Sequence, residues 1–118
     1  MKRSIAVMSA LLITLATTPA RAHAFLDRAE PRVGSAVPSA PHQVTLWFTQ
    51  NLEPAFSGAA VNDSSGARVD QGKARFEANV MRISLKPLPA GTYTVHWRVL
   101  SVDTHTTEGS FSFHVGSQ

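Results

Sequence analysis

The 118-residue chain contains no cysteine, so no disulfide bond can stabilise it. Small exported domains often depend on disulfides, and a domain without them must rely on its hydrophobic core. After residue 22 the chain also lacks a long apolar run, and no segment there approaches the roughly 20 residues that a membrane-spanning helix requires. The two absences exclude a disulfide-rich scaffold and predict no spanning helix in that part of the chain.

The first 22 residues have the parts of a secretory signal peptide. A short basic segment precedes the apolar run 5–16, and the triplet 20–22 (Ala-Arg-Ala) has the small first and third residues that suit signal peptidase. We therefore predict a cleaved leader, residues 1–22, and a mature domain, residues 23–118, that begins with His23 and lies outside the cytoplasm. A membrane anchor is the alternative, but the apolar run is too short for one.

Removal of the leader would also remove the net positive charge of the precursor. The whole chain has 11 basic and 8 acidic residues, but Lys2, Arg3 and Arg21 lie in the leader, which leaves 8 of each sign. Nucleic-acid-binding proteins present a basic face. A mature chain with balanced charge gives no reason to expect a nucleic-acid partner.

Short runs with a period of two dominate the mature chain and predict strands. In the run 43–49, for example, Val44, Leu46 and Phe48 fall on one face. We predict strands at 25–29, 43–49, 58–62, 75–78, 80–85, 92–100 and 111–115. Pro- and Gly-rich turns separate these runs. No run of ten or more residues in the mature chain shows the apolar periodicity of a helix. The pattern indicates one all-β domain, a Greek-key sandwich or barrel of immunoglobulin-like type.

His23 and His105, two of the five histidines, are candidate ligands of one metal ion. An N-terminal His23 would offer its α-amine together with its ring nitrogen, and the amine loses its proton at modest cost near neutral pH. Asp103 and His105 would project to the same side if their segment stays extended. These nitrogens and one carboxylate oxygen suit tetragonal Cu(II). Alone, His23 could be an accident of cleavage and Asp-x-His a surface triplet, so the prediction depends on their combination.

The other histidines and Met81 are predicted to have no role in metal binding. His42 follows Pro41 in a turn, and His96 and His114 alternate with core-facing residues and should point outward. Met81 is the only methionine after residue 22, and it falls on an apolar strand face where core packing explains it. Cu(I) prefers sulfur ligands, so the mature chain offers it no methionine-rich site.

Several motifs are distributed over the whole mature domain: His23-Ala24-Phe25-Leu26, Ala29-Glu30-Pro31, Glu53-Pro54-Ala55-Phe56-Ser57-Gly58, Leu88-Pro89-Ala90-Gly91-Thr92-Tyr93, Val95-His96-Trp97-Arg98-Val99 and Ser101-Val102-Asp103-Thr104-His105. Together they resemble the periplasmic CopC-type copper-resistance proteins. The resemblance implies a cupredoxin-like Greek-key β-barrel, export to the periplasm and a Cu(II) site formed by His23, Asp103 and His105. It also implies a role in copper tolerance or supply, beside an inner-membrane CopD-type partner.

Two features of the chain depart from the pattern of that family. Some members carry a methionine-rich Cu(I) segment, and this chain resembles the members that bind Cu(II) only. Many members also have Ser-Glu after the strand that corresponds to residues 44–48, and the Glu supports the metal site. This chain has Thr49-Gln50 instead. Loss of such a supporting group typically costs about 10–100-fold in metal affinity, so we expect Gln50 to support the site only weakly.

These observations predict a monomeric Cu(II) carrier or buffer of copper homeostasis and resistance that catalyses no reaction. Two alternatives belong to other classes. A copper mono-oxygenase with a histidine brace would also begin with His23, but Asp103 would occupy an equatorial position and leave less room for oxygen. In an immunoglobulin-like interaction module the histidines would be incidental, and the protein would not bind copper.

Overall fold

The computed structural model describes residues 24–116, which form two β-sheets with the hydrophobic core between them. The strands are β1 (Leu26–Glu30), β2 (Ala36–Val37), β3 (Gln43–Phe48), β4 (Gly58–Asn62), β5 (Asp70–Glu77), β6 (Val80–Leu85), β7 (Gly91–Leu100) and β8 (Thr106–Val115). Sheet A has the order β1-β3-β6-β5, and sheet B has the order β2-β8-β7-β4. All neighbouring strands are antiparallel except β2 and β8, which are parallel.

Helical structure is minimal in this part of the chain. Between residues 24 and 116 the one helical segment is a 3₁₀ turn, Pro54–Phe56, which connects the loop after β3 to β4. No helix in the same range is long and apolar enough to cross a membrane. The predicted all-β fold is therefore confirmed.

The core consists of the apolar faces that the alternating pattern predicts. From sheet A it takes Val44, Leu46, Phe48, Met81, Ile83 and Leu85, and from sheet B it takes Tyr93, Val95, Trp97, Val99, Phe111, Phe113 and Val115. Phe48 packs edge-on against Trp97 with 5.2 Å between ring centroids, which joins the two sheets. The predicted core position of Met81 is confirmed, because its side chain is fully buried.

The seven predicted strands are all present, and the differences lie at their ends. Strand β8 begins at Thr106 because β7 and β8 pair continuously from Gly91↔Val115 to Leu100↔Thr106. Strand β5 begins at Asp70, and a register shift between Gln71 and Arg75 hides its alternation. Strand β2 was not predicted. It has two residues and forms only by pairing with β8, so no local pattern indicates it.

Gly109 of β8 lies opposite Trp97 of β7 in the sheet. A Cβ atom at position 109 would lie 2.5 Å from Cζ2 of the Trp97 ring, closer than any carbon contact allows. The absence of a side chain at Gly109 therefore lets the indole lie across the neighbouring strand, where it reaches Phe48.

Candidate metal site

Several segments meet at one end of the sandwich, which is called the site end below. It comprises residues 24–25, 49–57, 78–79 and 101–105. The N–H of Val102 donates a hydrogen bond to the carbonyl of Asn51 (3.1 Å). The N–H of Leu52 donates in turn to the carbonyl of Ala78 (3.1 Å). These main-chain bonds connect the loop between β7 and β8 to both other loops of the site end.

The first described residues are held between the two sheets at the site end. Phe25 and Thr49 exchange two hydrogen bonds, from Phe25 N–H to Thr49 Oγ1 (2.9 Å) and from Thr49 N–H to the Phe25 carbonyl (2.9 Å). The carbonyl of Ala24 accepts a hydrogen bond from the hydroxyl of Thr107 in β8, and Ala24 is fully buried. The residue next to the predicted ligand His23 is thus fixed beside the start of β8. His23 itself, like the predicted leader, lies outside the described residues.

Asp103 and His105 lie in the tight connection between β7 and β8, and both are exposed. The N–H of Thr104 donates to the carbonyl of Ser101 (2.9 Å), and Thr104 has a φ of 72°. The premise that this segment stays extended is therefore wrong. Because β7 and β8 remain paired as far as Leu100↔Thr106, the five residues between them must reverse the chain direction. The two predicted ligands share this turn instead of one face of a strand.

Ser101 makes contact with both predicted ligands from a fully buried position. Its hydroxyl donates a hydrogen bond to Oδ1 of Asp103. The main-chain N–H of His105 donates to the Ser101 hydroxyl oxygen (3.4 Å), and the N–H of Ser101 donates to the His105 carbonyl (3.0 Å). The sequence does not indicate this role, because burial of the Ser101 hydroxyl is a property of the packed structure.

Within residues 24–116, no three side chains of the metal-binding types His, Cys, Asp and Glu lie close enough together to hold an ion. Asp103 and His105 therefore supply at most two protein ligands from this range. A stable site with the predicted nitrogen-rich donor set needs a further contribution from outside it. Asp and His fit such a set chemically, because carboxylate oxygen and imidazole nitrogen are both ligands of Cu(II).

The remaining histidines take the positions predicted for them. Nδ1 of His96 forms a hydrogen bond with Oγ of Ser110 across β7 and β8 (2.7 Å), and Nδ1 of His114 forms one with Oγ1 of Thr92 (3.1 Å). Both lie on the outer face of sheet B, and His42 is exposed. Gln50 is half-buried in the loop after β3, at the site end, and its contribution to a metal site stays a prediction.

Large apolar side chains are exposed around the site end. Phe25 is 45% exposed, Val102 is 52% exposed and Phe56 is 70% exposed. They belong to three different segments of the site end, and Val102 lies in the turn that carries Asp103 and His105. Val33, in the loop after β1, is the other large apolar side chain that is exposed among residues 24–116 (61%).

Comparison with known proteins gives three main findings. Residues 26–116 match the family described as the CopC domain. The chain is 37% identical over 123 residues to Copper resistance protein C of Xanthomonas campestris pv. juglandis, and the match covers 96% of each protein. Its structure is similar to the crystal structure of CopC from Methylosinus trichosporium OB3b, with a TM-score of 0.74 and 34% identity over 79% of this chain and 93% of the other. The predicted cupredoxin-like β-sandwich is therefore confirmed.

A further relative is much longer than this chain. Copper transport protein CutJ of Bacillus subtilis (strain 168) is 33% identical over 99 residues. The match covers 80% of this chain but only 18% of the relative. A domain similar to this one is thus part of a larger protein whose name refers to copper transport.

Proposed function

The chain belongs to the CopC family of copper-resistance proteins, and we propose that its exported form binds Cu(II) and carries or buffers it in the periplasm. The family membership confirms the resemblance indicated by the sequence motifs and gives the protein a copper-related function. One observation supports the proposed Cu(II) site. The segment next to His23 and the turn with Asp103 and His105 are held together at one end of the sandwich.

The proposed ligands are the α-amine and ring of His23, the Asp103 carboxylate and the His105 ring. Nitrogen and carboxylate donors of this kind suit Cu(II), which also binds more tightly than other divalent ions of the first transition row. Ala24, the first residue that the structure describes, is fixed to Thr107, which lies two residues after His105 in the chain. The site would then join the first residue of the exported chain to a turn near its end.

A carrier without catalytic activity is the function that this arrangement supports best. Asp103 and His105 are exposed, which suits a site that takes up an ion and passes it on. With Asp103 as a fourth donor, few positions on the ion would remain for oxygen. We therefore expect copper transfer by a monomer and no turnover of a substrate.

We further propose an inner-membrane copper transporter of the CopD type as the partner. The Bacillus relative supports this, because a domain similar to this chain makes up 18% of a protein named for copper transport. The exposed side chains of Phe25, Val102 and Phe56 would lie against the partner beside the metal site. An apolar contact there would exclude water from the transfer step.

A direct test compares the exported protein with a variant that carries one extra glycine before His23. Mass spectrometry first establishes that the exported chain begins at His23. The affinity for Cu(II) is then measured by competition with a chelator, together with the EPR spectrum. We expect the extra residue to lower affinity by at least about 10-fold and to change the spectrum, since the α-nitrogen of His23 becomes an amide and no longer binds the ion as an amine together with the His23 ring.

Three further proteins complete that experiment. Asp103→Ala and His105→Ala should each weaken Cu(II) binding. His42→Ala, which removes an exposed histidine away from the site end, is the control and should bind like the unmodified protein. Equal affinity and spectra with and without the extra glycine would contradict the role of the amine. Failure of the unmodified protein to bind Cu(II) at micromolar concentration would contradict the function as a whole.

A further inference from the structure

The last residue on the β7 side of the turn, Ser101, combines features that a surface turn does not require. Its side chain is fully buried, and its main chain pairs with Leu52 in an isolated bridge. Burying a hydroxyl is unfavourable unless it forms hydrogen bonds, and most turn serines avoid that cost because they are exposed. Here the hydroxyl is directed into the turn, where it meets Asp103 and His105.

The bond from the Ser101 hydroxyl restrains the Asp103 carboxylate. It uses Oδ1 as acceptor, so the torsion angles of the Asp103 side chain are restricted, while Oδ2 is not part of that bond. An exposed side chain normally loses rotamer entropy when it is immobilised on a ligand. A carboxylate that is already oriented avoids much of this cost.

The main chain of the same serine also restrains the two residues that follow Asp103. The Ser101 carbonyl accepts from Thr104 N–H (2.9 Å), and the Ser101 N–H donates to the His105 carbonyl (3.0 Å). Thr104 has a φ of 72°, a conformation that is unfavourable for a β-branched residue and persists only where the surroundings impose it. The hydrogen bonds to Ser101 help to impose this conformation on Thr104.

We propose that Ser101 is a positioning residue for Cu(II): its buried hydroxyl holds the Asp103 carboxylate and the His105 main chain in the geometry that the ion requires. Ser101 does not bind the ion. The inference rests on the proposed function, since it assigns a role toward the same site. Ser101 would act through Asp103 and His105, so the Cu(II) affinity of the proposed site would depend on a buried side chain that is not itself a ligand.

The test substitutes Ser101→Ala and uses Ser57→Ala as a matched control. Ser57 also bonds to the end of β7, because its Oγ accepts from Leu100 N–H (3.0 Å), but its hydroxyl is directed to Leu100 and not to Asp103 or His105. We expect Ser101→Ala to lower Cu(II) affinity by about 10-fold or more, as other outer-shell partners do, and to change the EPR hyperfine splitting. Ser57→Ala should leave affinity and spectrum within error of the unmodified protein. Unchanged binding in Ser101→Ala, or an equal loss in Ser57→Ala, would overturn the inference.

A double-mutant cycle tests whether Ser101 acts through Asp103. In an Asp103→Ala background, Ser101→Ala should cause at most a twofold further loss of affinity, because its main target is already gone. A full additional loss would show that Ser101 acts elsewhere. If Cu(II) does not bind the unmodified protein, the proposed function fails. If it binds well and the cycle shows no coupling, only the inference about Ser101 fails.

A measurement without substitutions covers the case in which Ser101→Ala does not fold. In the NMR spectrum of the metal-free protein, the Ser101 hydroxyl proton should exchange slowly and show a through-hydrogen-bond coupling to the Asp103 carboxylate carbon. The Ser57 hydroxyl proton provides the internal comparison. A Ser101 proton that exchanges as fast as that of an exposed serine would refute the inference.

Discussion

The carbonyl of Ala24 accepts a hydrogen bond from the hydroxyl of Thr107, a residue 83 positions further along the chain. Together with the two bonds between Phe25 and Thr49, it fixes the residue that follows the proposed N-terminal ligand. A ligand whose neighbour is already held loses less freedom when it binds an ion. The strength of Cu(II) binding should therefore depend on Thr107, although Thr107 is not a ligand.

Substitution of Thr107 by valine tests this dependence. Valine has nearly the same shape but no hydroxyl, so the bond to Ala24 is lost while the packing is largely kept. A single hydrogen bond contributes about 0.5–1.5 kcal/mol, and we expect Cu(II) affinity to fall by roughly 3–10-fold in a chelator competition. Thr106→Val, at the exposed neighbouring position of β8, is the control and should bind normally. Identical affinities of the two variants would contradict the role of the Ala24 bond.

Substitution of Gly109 by alanine should destabilise the domain. The new Cβ would meet Cζ2 and Cε2 of the Trp97 ring at 2.5 and 2.8 Å, and the ring cannot move freely because it packs against Phe48. Overpacking of this kind costs about 1–3 kcal/mol, measurable as a lower free energy of unfolding in urea. Gly58→Ala in β4 is the matched control, since nothing lies within 4 Å of a Cβ there. A Gly109→Ala protein as stable as Gly58→Ala would show that the indole can be displaced easily.

The stability of the domain should decrease at low pH through Asp70. Burial of its carboxyl favours the neutral form, but hydrogen bonds from Arg68 and from the Val61 N–H favour the charged form more strongly, and the pKa of Asp70 is lowered. A group with a lowered pKa stabilises the folded state above its unfolded pKa of about 3.9 and loses that contribution as the pH falls through the folded value. Asp70→Asn should therefore reduce the free energy of unfolding at pH 6, and the difference should diminish below about pH 4.

Urea unfolding at a series of pH values measures this effect. Glu77→Gln is the control, because the Glu77 carboxylate is 82% exposed and its ion pair with Arg82 spans 3.6 Å. Exposed pairs contribute little, so this variant should differ from the unmodified protein by less than about 1 kcal/mol throughout. A constant difference between Asp70→Asn and the unmodified protein from pH 6 to pH 3 would contradict the assignment to the charge of Asp70.

Much of the fold could be predicted because half-buried strands display their faces in the sequence. The alternation of Val44, Leu46 and Phe48 reflects burial in sheet A, and β4 and β6 were predicted with their observed bounds. The first residues of β8 carry no such signal, because Thr106, Glu108 and the glycine at 109 join the strand through pairing with β7. Pairing between distant segments is not visible in a local pattern.

The candidate site was predictable by residue type but not by local geometry. Asp103 and His105 carry donor atoms that suit Cu(II), which the sequence shows directly. An extended strand would place both side chains on one side, but closure of the hairpin imposes a turn instead. Ser101 could not be ranked above other serines, because only the packed structure shows that its hydroxyl is buried beneath the turn.

The hydrogen bond between Ala24 and Thr107 would also affect when the proposed exported form becomes able to load metal. Secretory chains emerge with their N-terminal end first, so in the proposed export the residues around Ala24 would reach the destination compartment before β8. Until β8 has paired with β7, Thr107 is not in position and the turn with Asp103 and His105 is not closed. Copper loading would thus be restricted to chains that have been translocated in full. The ratio of bound copper to protein in a purified sample would then report the fraction of chains that are fully translocated and folded.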